Sequence, residues 1–338
     1  MNLRSLLILS VALVVGVLES GTTGAFSQQI TNASPQREVW LGPIAPSIYA
    51  HKFSDSQYDY LNLFQRDAPW SKSASQLQVF QVTAPVVMGE SDETLKTIFA
   101  DLNRRHIALG IELGLLSGVD TSGNKICGQN VEGYAAADTA RVVALRIQKN
   151  GGVLRYIAMD EPLWYGHHVR GQNACQASPE ALAQEIAARV QIVRKIFPNV
   201  KIGDIEPLAP LQTPDWTDEV TQWEKVYRRV AGEPFSFVRA DIVWTQPWQH
   251  ELIVLKQRLH SDGIKLGVVY NGGGDGREQN DRNWTDTAIR RFRMIESDPR
   301  MAPDQAVIES WVRWPSRLLP EDTPGTLTNV LLQYESKP

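Results

Sequence analysis

The sequence predicts an α/β fold, a single (β/α)8 (TIM) barrel, and three observations predict it. Apolar runs alternate with amphipathic stretches of roughly 12 to 20 residues about eight times, the pattern of parallel strands joined by crossover helices. No linker-like composition shift interrupts the alternation, so residues 38–338 read as one domain. No glycine fingerprint follows an early strand, as a doubly wound nucleotide-binding sheet would carry, and eight closed units leave no edge strand exposed.

Val39-Trp40-Leu41-Gly42-Pro43 is the first strand, followed by a loop and a short helix over 58–65. Leu77 to Val82 alternates apolar and polar residues as a strand, and Ser91-Asp92-Glu93 caps a helix that runs to about Arg105. His106 to Leu113 is the third strand, with Ala108, Gly110 and Glu112 on the face suited to a crowded interior. A helix over 135–150 ends at Gly151-Gly152, and Leu154 to Asp160 forms the fourth strand. Ser178-Pro179 opens a helix that Pro198 stops, and the strand from Lys201 to Pro207 sets Asp204 and Glu206 on one face, which is expected to point inward. Helices over 216–230, 249–260 and 285–296 separate strands over 235–244, 264–271 and 305–311.

With 338 residues, 43% hydrophobic, the chain can bury a large core. Lys and Arg number 34 against 38 Asp and Glu, so no basic excess is available for a nucleic acid partner. Arg4, an apolar run from Leu6 to Leu18 and small residues up to Ala25 have the layout of a signal peptide over 1–25, cut after Ala25, with 26–37 a polar lead-in. The competing reading is a membrane anchor, but the run is shorter than the ~20 residues a span requires. The mature chain is therefore expected to be exported, to the periplasm or the extracellular space, without stable membrane insertion. In that compartment Cys127 and Cys175 are candidates for one disulfide, the alternative being two separate thiols. Asn32-Ala33-Ser34 and Asn283-Trp284-Thr285 match the glycosylation acceptor pattern.

In barrels of this kind the reacting groups gather at the C-terminal ends of the strands. Those ends supply Glu112, Asp160, Glu161, Asp204, Glu206, Asp241, Tyr270, Asn271 and Glu309. Each acid taken singly could cap a helix or pair with Arg155, Arg239 or Arg313. Several converging carboxylates are costly unless paired, protonated or used, and glycosidases use such a set to hold one protonated acid beside one ionised base or nucleophile. Trp164, Trp244, Trp311 and Trp314 lie at or just beyond strand ends, where a flat indole can pack on a sugar face; the alternative is rim packing. His167 and His168 could join Asp160 on a metal, but no His-x-x-x-His or Cys/His spacing supports it, so neither a metal nor a cofactor is expected. The 272–276 glycine-rich turn lacks the Lys-Ser/Thr pair of a phosphate loop and reads as a rim loop.

Asp160-Glu161-Pro162 at the fourth strand end resembles the Asn-Glu-Pro of the clan A glycoside hydrolases. The resemblance implies that Glu161 is the general acid/base and that Asp160 stands where the family's Asn contacts the sugar 2-hydroxyl. The family's nucleophile is a Glu at the seventh strand end; here that end reads Tyr270-Asn271, and Glu309 and Glu206 are the nearest candidates. The expected function is an exported glycoside hydrolase acting on a poly- or oligosaccharide, with Glu161, Glu309 and Glu206 as catalytic candidates. Glu112, Asp160, Asp241, Trp164, Trp244, Tyr270, Asn271, Trp311 and Trp314 are the candidate substrate contacts. The alternatives are a non-catalytic polysaccharide-binding barrel and a metal-dependent hydrolase or deacetylase.

Overall fold

The computed structural model describes residues 37–53, 58–119, 122–211, 213–274, 276 and 279–336. The signal segment, most of the lead-in and Asn32 lie outside them. Residues Arg37–Pro338 form one compact unit. Its eight strands are β1 (Glu38–Gly42), β2 (Val79–Thr83), β3 (Ala108–Glu112), β4 (Leu154–Asp160), β5 (Lys201–Leu208), β6 (Phe237–Ile242), β7 (Lys265–Tyr270) and β8 (Gln305–Glu309). All neighbours are parallel, and β8 pairs with β1 to close the barrel. The (β/α)8 fold is thus present, and the strand at Trp40 is its first stave.

The helices are α1 (Pro46–Phe53), α2 (Ser71–Ala74), α3 (Ala84–Gly89), α4 (Asp92–Arg104), α5 (Thr139–Lys149), α6 (Pro179–Arg194), α7 (Trp216–Ala231), α8 (Gln249–Ser261), α9 (Asp281–Glu296) and α10 (Leu327–Glu335). No helix of the described residues is long and apolar enough to cross a membrane. The capping logic of the sequence operates as expected. The Ser91 and Ser178 side chains accept from the amides of Thr94 and Ala181, and Gly232 ends α7 at a φ of 80°. Four helices were not foreseen: α1, α2 and α3 are short, and α10 closes the ring by burying Leu327, Val330 and Leu331. Only a 3-10 turn, Tyr60–Phe64, stands where the 58–65 helix was expected.

Strand parity decides what faces the barrel axis. Trp40, Val79, Ala158, Ile205, Phe237, Val269 and Val307 form a cluster of their own inside the barrel, separate from the larger core between strands and helices. Trp40 meets Tyr156 and Phe237 edge-on, with ring centroids 4.8 and 5.6 Å apart, and the Arg239 guanidinium lies 3.9 Å from the Trp40 ring centroid. So much aromatic volume leaves room for little else at the same level. A Cβ at Gly203 would come within 2.0 Å of the Phe237 ring, and one at Gly110 within 2.8 Å of Trp40.

This crowding corrects the reading of β5. With Gly203 and Ile205 facing the axis, Asp204 and Glu206 do share a face, but it is the outward one. The Trp223 indole donates to Asp204 Oδ2 at 2.9 Å, and Glu206 accepts the amides of Leu163 and Trp164 at 2.7 and 3.1 Å.

Candidate active site

The inward parity that buries Trp40 and Phe237 carries acids to the C-terminal mouth. Glu112 ends β3, Asp160 ends β4 with Glu161 next in the chain, Asp241 lies near the end of β6, and Glu309 ends β8. These five, with Glu132 from the β3–α5 connection, line a cleft of about 690 Å3. Ile44, Ile48 and Met88 supply an apolar wall, and Lys52, Tyr165 and Trp311 also line it. Trp311 is 43% exposed, the degree of exposure a stacking platform requires.

A hydrogen-bonded relay forms the floor. Arg239, fully buried, donates through Nη1 to Gln81 Oε1 at 2.6 Å, and Gln81 Nε2 donates to Glu309 Oε1 at 2.7 Å and to Glu112 Oε2 at 3.0 Å. Glu112 and Glu309 are also hydrogen-bonded to each other. Burial, then the Glu309 charge, holds the Glu112 carboxyl well above its usual range, so Glu112 carries the proton that Glu309 accepts. Burial raises Glu309 too, but that hydrogen bond and the Arg239 charge oppose the rise. The same desolvation lowers Arg239 to about 10.

On the opposite side of the mouth the environment favours protonated acids. Glu161 is held well above the ordinary carboxylate range by burial and then by the Asp241 and Asp160 charges. Asp160 is raised by burial, Glu112 and Glu132, against a hydrogen bond from the Gly133 amide. Asp241 is pushed up to about 7 by burial and by Glu132, with Arg291 opposing. Glu161 also adopts a φ of 45°, in the left-handed region that side chains rarely occupy. Its amide donates to Ile205 O at 3.1 Å and its carbonyl accepts from Tyr165 N at 2.9 Å, which fixes that conformation.

Several candidates lie away from the cleft. Glu206 holds the turn after Pro162, as described above. Tyr270 has the parity opposite to Gly267 and Val269, so it packs among the helices and donates to Glu296 at 2.9 Å. The Asn271 side chain accepts from Gly273 N and Arg291 Nη1, both at 3.0 Å. Trp164 stacks on His168 and meets Trp216 edge-on. Trp244 lies under the Arg291 guanidinium at 4.1 Å, and Trp314 under that of Arg313 at 4.9 Å. The side-chain partners of His167 and His168 are Ala177 O and Glu219. Among the described residues no group of three His, Cys, Asp or Glu is arranged to hold a metal ion.

Sequence reasoning missed Glu132, Tyr165 and Lys52. They lie between strands rather than at strand ends, Lys52 in the short α1, Tyr165 in a single π-helical turn and Glu132 in a long polar loop, segments too short or irregular for periodicity to give their facing. The bridge between Cys127 and Cys175 is formed.

No family model and no curated protein sequence matches the chain. Solved structures do match, at the level of fold. A GH10 endoxylanase retrieved from a sugarcane soil metagenome superposes with a TM-score of 0.51 at 11% identity, covering 90% of this chain and 98% of that one. GH5_18 from Streptomyces cattleya, solved in complex with GlcNAc, gives 0.52 at 10% identity over 89% and 82% of the two chains. The GH53 catalytic domain of Ignisphaera aggregans gives 0.51 at 10% identity over 86% of each. These three neighbours are glycoside hydrolases, and what they share with this chain is the TIM-barrel fold.

Proposed function

We propose that the chain is an exported glycoside hydrolase acting on a poly- or oligosaccharide, with Glu161 as the general acid and Glu309 as its carboxylate partner. The observation that carries this reading is the unequal environment of two acids on one cleft. Burial and neighbouring charges hold Glu161 well above the ordinary carboxylate range, whereas the rise that burial imposes on Glu309 is opposed by the Glu112 hydrogen bond and the Arg239 charge, so Glu309 is the better placed of the two to ionise. In the bond-breaking step Glu161 Oε donates its proton to the glycosidic oxygen as the bond to the anomeric carbon breaks. Glu309 then meets the developing positive charge, either by bonding to that carbon or by taking a proton from the attacking water. Asp160 and Asp241 are placed for hydroxyl recognition, and Trp311 offers a stacking face.

Six acids and one base, Lys52, line the cleft, and a bound anionic sugar would oppose every ionisation there, so neutral or amine-bearing glycans are the expected substrates and polyuronates are not. The N-terminal signal pattern and the disulfide support export. Glycoside hydrolase neighbours support the substrate class.

Glu161→Gln and Glu309→Gln should each lower kcat by about 100- to 10,000-fold while leaving the circular dichroism spectrum unchanged. Release of reducing ends from a panel of neutral polysaccharides measures this, and an unaltered rate in Glu161→Gln would remove it from the mechanism. One observation favours a second reading, a polysaccharide-binding barrel without turnover: the seventh strand end holds Asn271, locked by Arg291, where clan A enzymes carry their nucleophile. Glycan retention on an affinity gel without any released ends would decide for it.

A further inference from the structure

Glu309 meets its hydrogen-bond donor across an intervening strand. It ends β8, Gln81 lies on β2, and β1 stands between them, so the gap is two strand spacings, about 10 Å along the sheet. The position crossed is Gly42, the register partner of Glu309 on β1. A Cβ at Gly42 would lie 2.9 Å from Glu309 Oε1, 3.1 Å from its Cδ and 3.3 Å from its Cγ, so the Glu309 side chain lies where a side chain of residue 42 would stand. The φ of Gly42 is not in the left-handed region, and what glycine supplies here is therefore space. Arg239 uses the same device: it leans over Gly267, its register partner on β7, where a Cβ would come within 2.6 Å of Arg239 Cγ.

Glu309 and Arg239 both end on Gln81, which is buried. A guanidinium can only donate, so the amide oxygen of Gln81 faces Arg239 Nη1, at 2.6 Å, and the amide nitrogen faces the acids. Its two N–H groups are then both used, one on Glu309 Oε1 at 2.7 Å and one on Glu112 Oε2 at 3.0 Å. Glu309 Oε1 is the same atom that overlies Gly42, so a single contact fixes where this carboxylate lies and which of its oxygens acts as an acceptor.

We propose that Gln81 is the positioning residue of Glu309 and works through the gap at Gly42: the amide, oriented by Arg239, holds the carboxylate across β1 and favours its ionised form. The inference deepens the hydrolase reading and rests on it for its kinetic consequence, whereas the contact itself does not depend on that reading. The charged groups facing Glu309 are Glu112 from β3, Asp160 from β4, and Arg239 and Asp241 from β6, with Glu132, Glu161 and Lys52 on the same cleft. At this end of the barrel β5 and β7 present Ile205 and Val269, neither of which titrates. A hydrogen bond donated to a carboxylate favours the charged form, so withdrawing the Gln81 donor raises the pH at which Glu309 ionises.

Two variants of the full chain reach the contact from opposite sides. Gln81→Met removes the donor with little change of volume, and Gly42→Ala leaves every group of the relay in place but puts a methyl where the carboxylate lies. Each should lower kcat by up to about 100-fold, the scale of a small displacement at a reacting centre, with KM little changed. Each should also move the acidic limb of the pH-rate profile, below which Glu309 is protonated, to higher pH. Because both act through one contact, Gly42→Ala/Gln81→Met should lose no more than the worse of the two single variants. Losses that multiply, an unmoved acidic limb, or a raised KM at unchanged kcat would overturn the proposal. Gln81→Met leaves Arg239 without its acceptor and should also lower the urea midpoint; where it does not fold, kcat and the acidic limb in Gly42→Ala decide alone. If the wild type releases no reducing ends from any glycan, the hydrolase reading fails, and 13C NMR titration of the Glu309 carboxyl decides the inference separately. That carboxyl should titrate at higher pH in Gly42→Ala than in the wild type, and an unchanged titration would overturn it.

Discussion

Glu161 combines an uncommon backbone angle with a carboxyl whose proton is held by its surroundings. A φ of 45° on a side-chain-bearing residue costs about 1–3 kcal/mol, and such strain persists only where neighbours fix it, here Ile205 O and the Tyr165 amide. After burial, the largest influence on its proton is the charge of Asp241. Asp241→Asn should therefore let Glu161 ionise at lower pH and draw the alkaline limb of the pH-rate profile downward, which initial rates across pH 5–9 would measure. An unmoved limb would mean that another group sets it. The strand-end acids were legible because position along a barrel strand states which end a residue occupies. Glu132 and Tyr165 are not, because a loop and a single π-helical turn have no period from which to read a direction.

Element by element, the alternation of strands and helices could be read directly, and each of the eight strands falls where its apolar run lies. Facing was harder. Parity predicts that Asp204 and Glu206 share a face, as they do, but not that this face is the outward one. The clue was present in the glycines: Gly110, Gly203 and Gly267 all have the inward parity, where Trp40, Phe237 and Arg239 take the space. Of the four tryptophans beyond the strand ends, Trp311 lines the cleft, whereas Trp164, Trp244 and Trp314 pack on His168, Arg291 and Arg313. Glu206 consequently belongs to architecture. Glu206→Ala should leave the Leu163 and Trp164 amides without their acceptor and cost about 1–3 kcal/mol of stability, seen as a lower urea midpoint. A midpoint equal to wild type would show that water replaces the carboxylate.

For the whole molecule, the crowded acids make stability depend on pH in the direction opposite to ordinary surface carboxylates. Glu112, Asp160, Glu161 and Asp241 have raised values when folded, Asp241 to about 7. Between the ordinary carboxylate range and those values the native state binds more protons than the unfolded chain, so this stability is fully present at low pH and is lost as pH rises through about 7. Asp92 and Asp298, lowered to about 2 by Lys149 and Arg300, lose their contribution only on strong acidification, outside this window. Thermal melts should give a lower Tm at pH 8 than at pH 5, and Asp241→Asn should flatten the difference; a Tm that rises from pH 5 to pH 8 would contradict the assignment. Beneath the acids, Trp40, Phe237 and the Arg239 guanidinium stopper the barrel, and Glu38 grips Lys265 and Gln305 at its base. The cleft is thus stoppered from below and opens at the C-terminal mouth, where Trp311 stands on its rim. A bulky side chain placed beside Trp311 would narrow that mouth without disturbing the barrel beneath it.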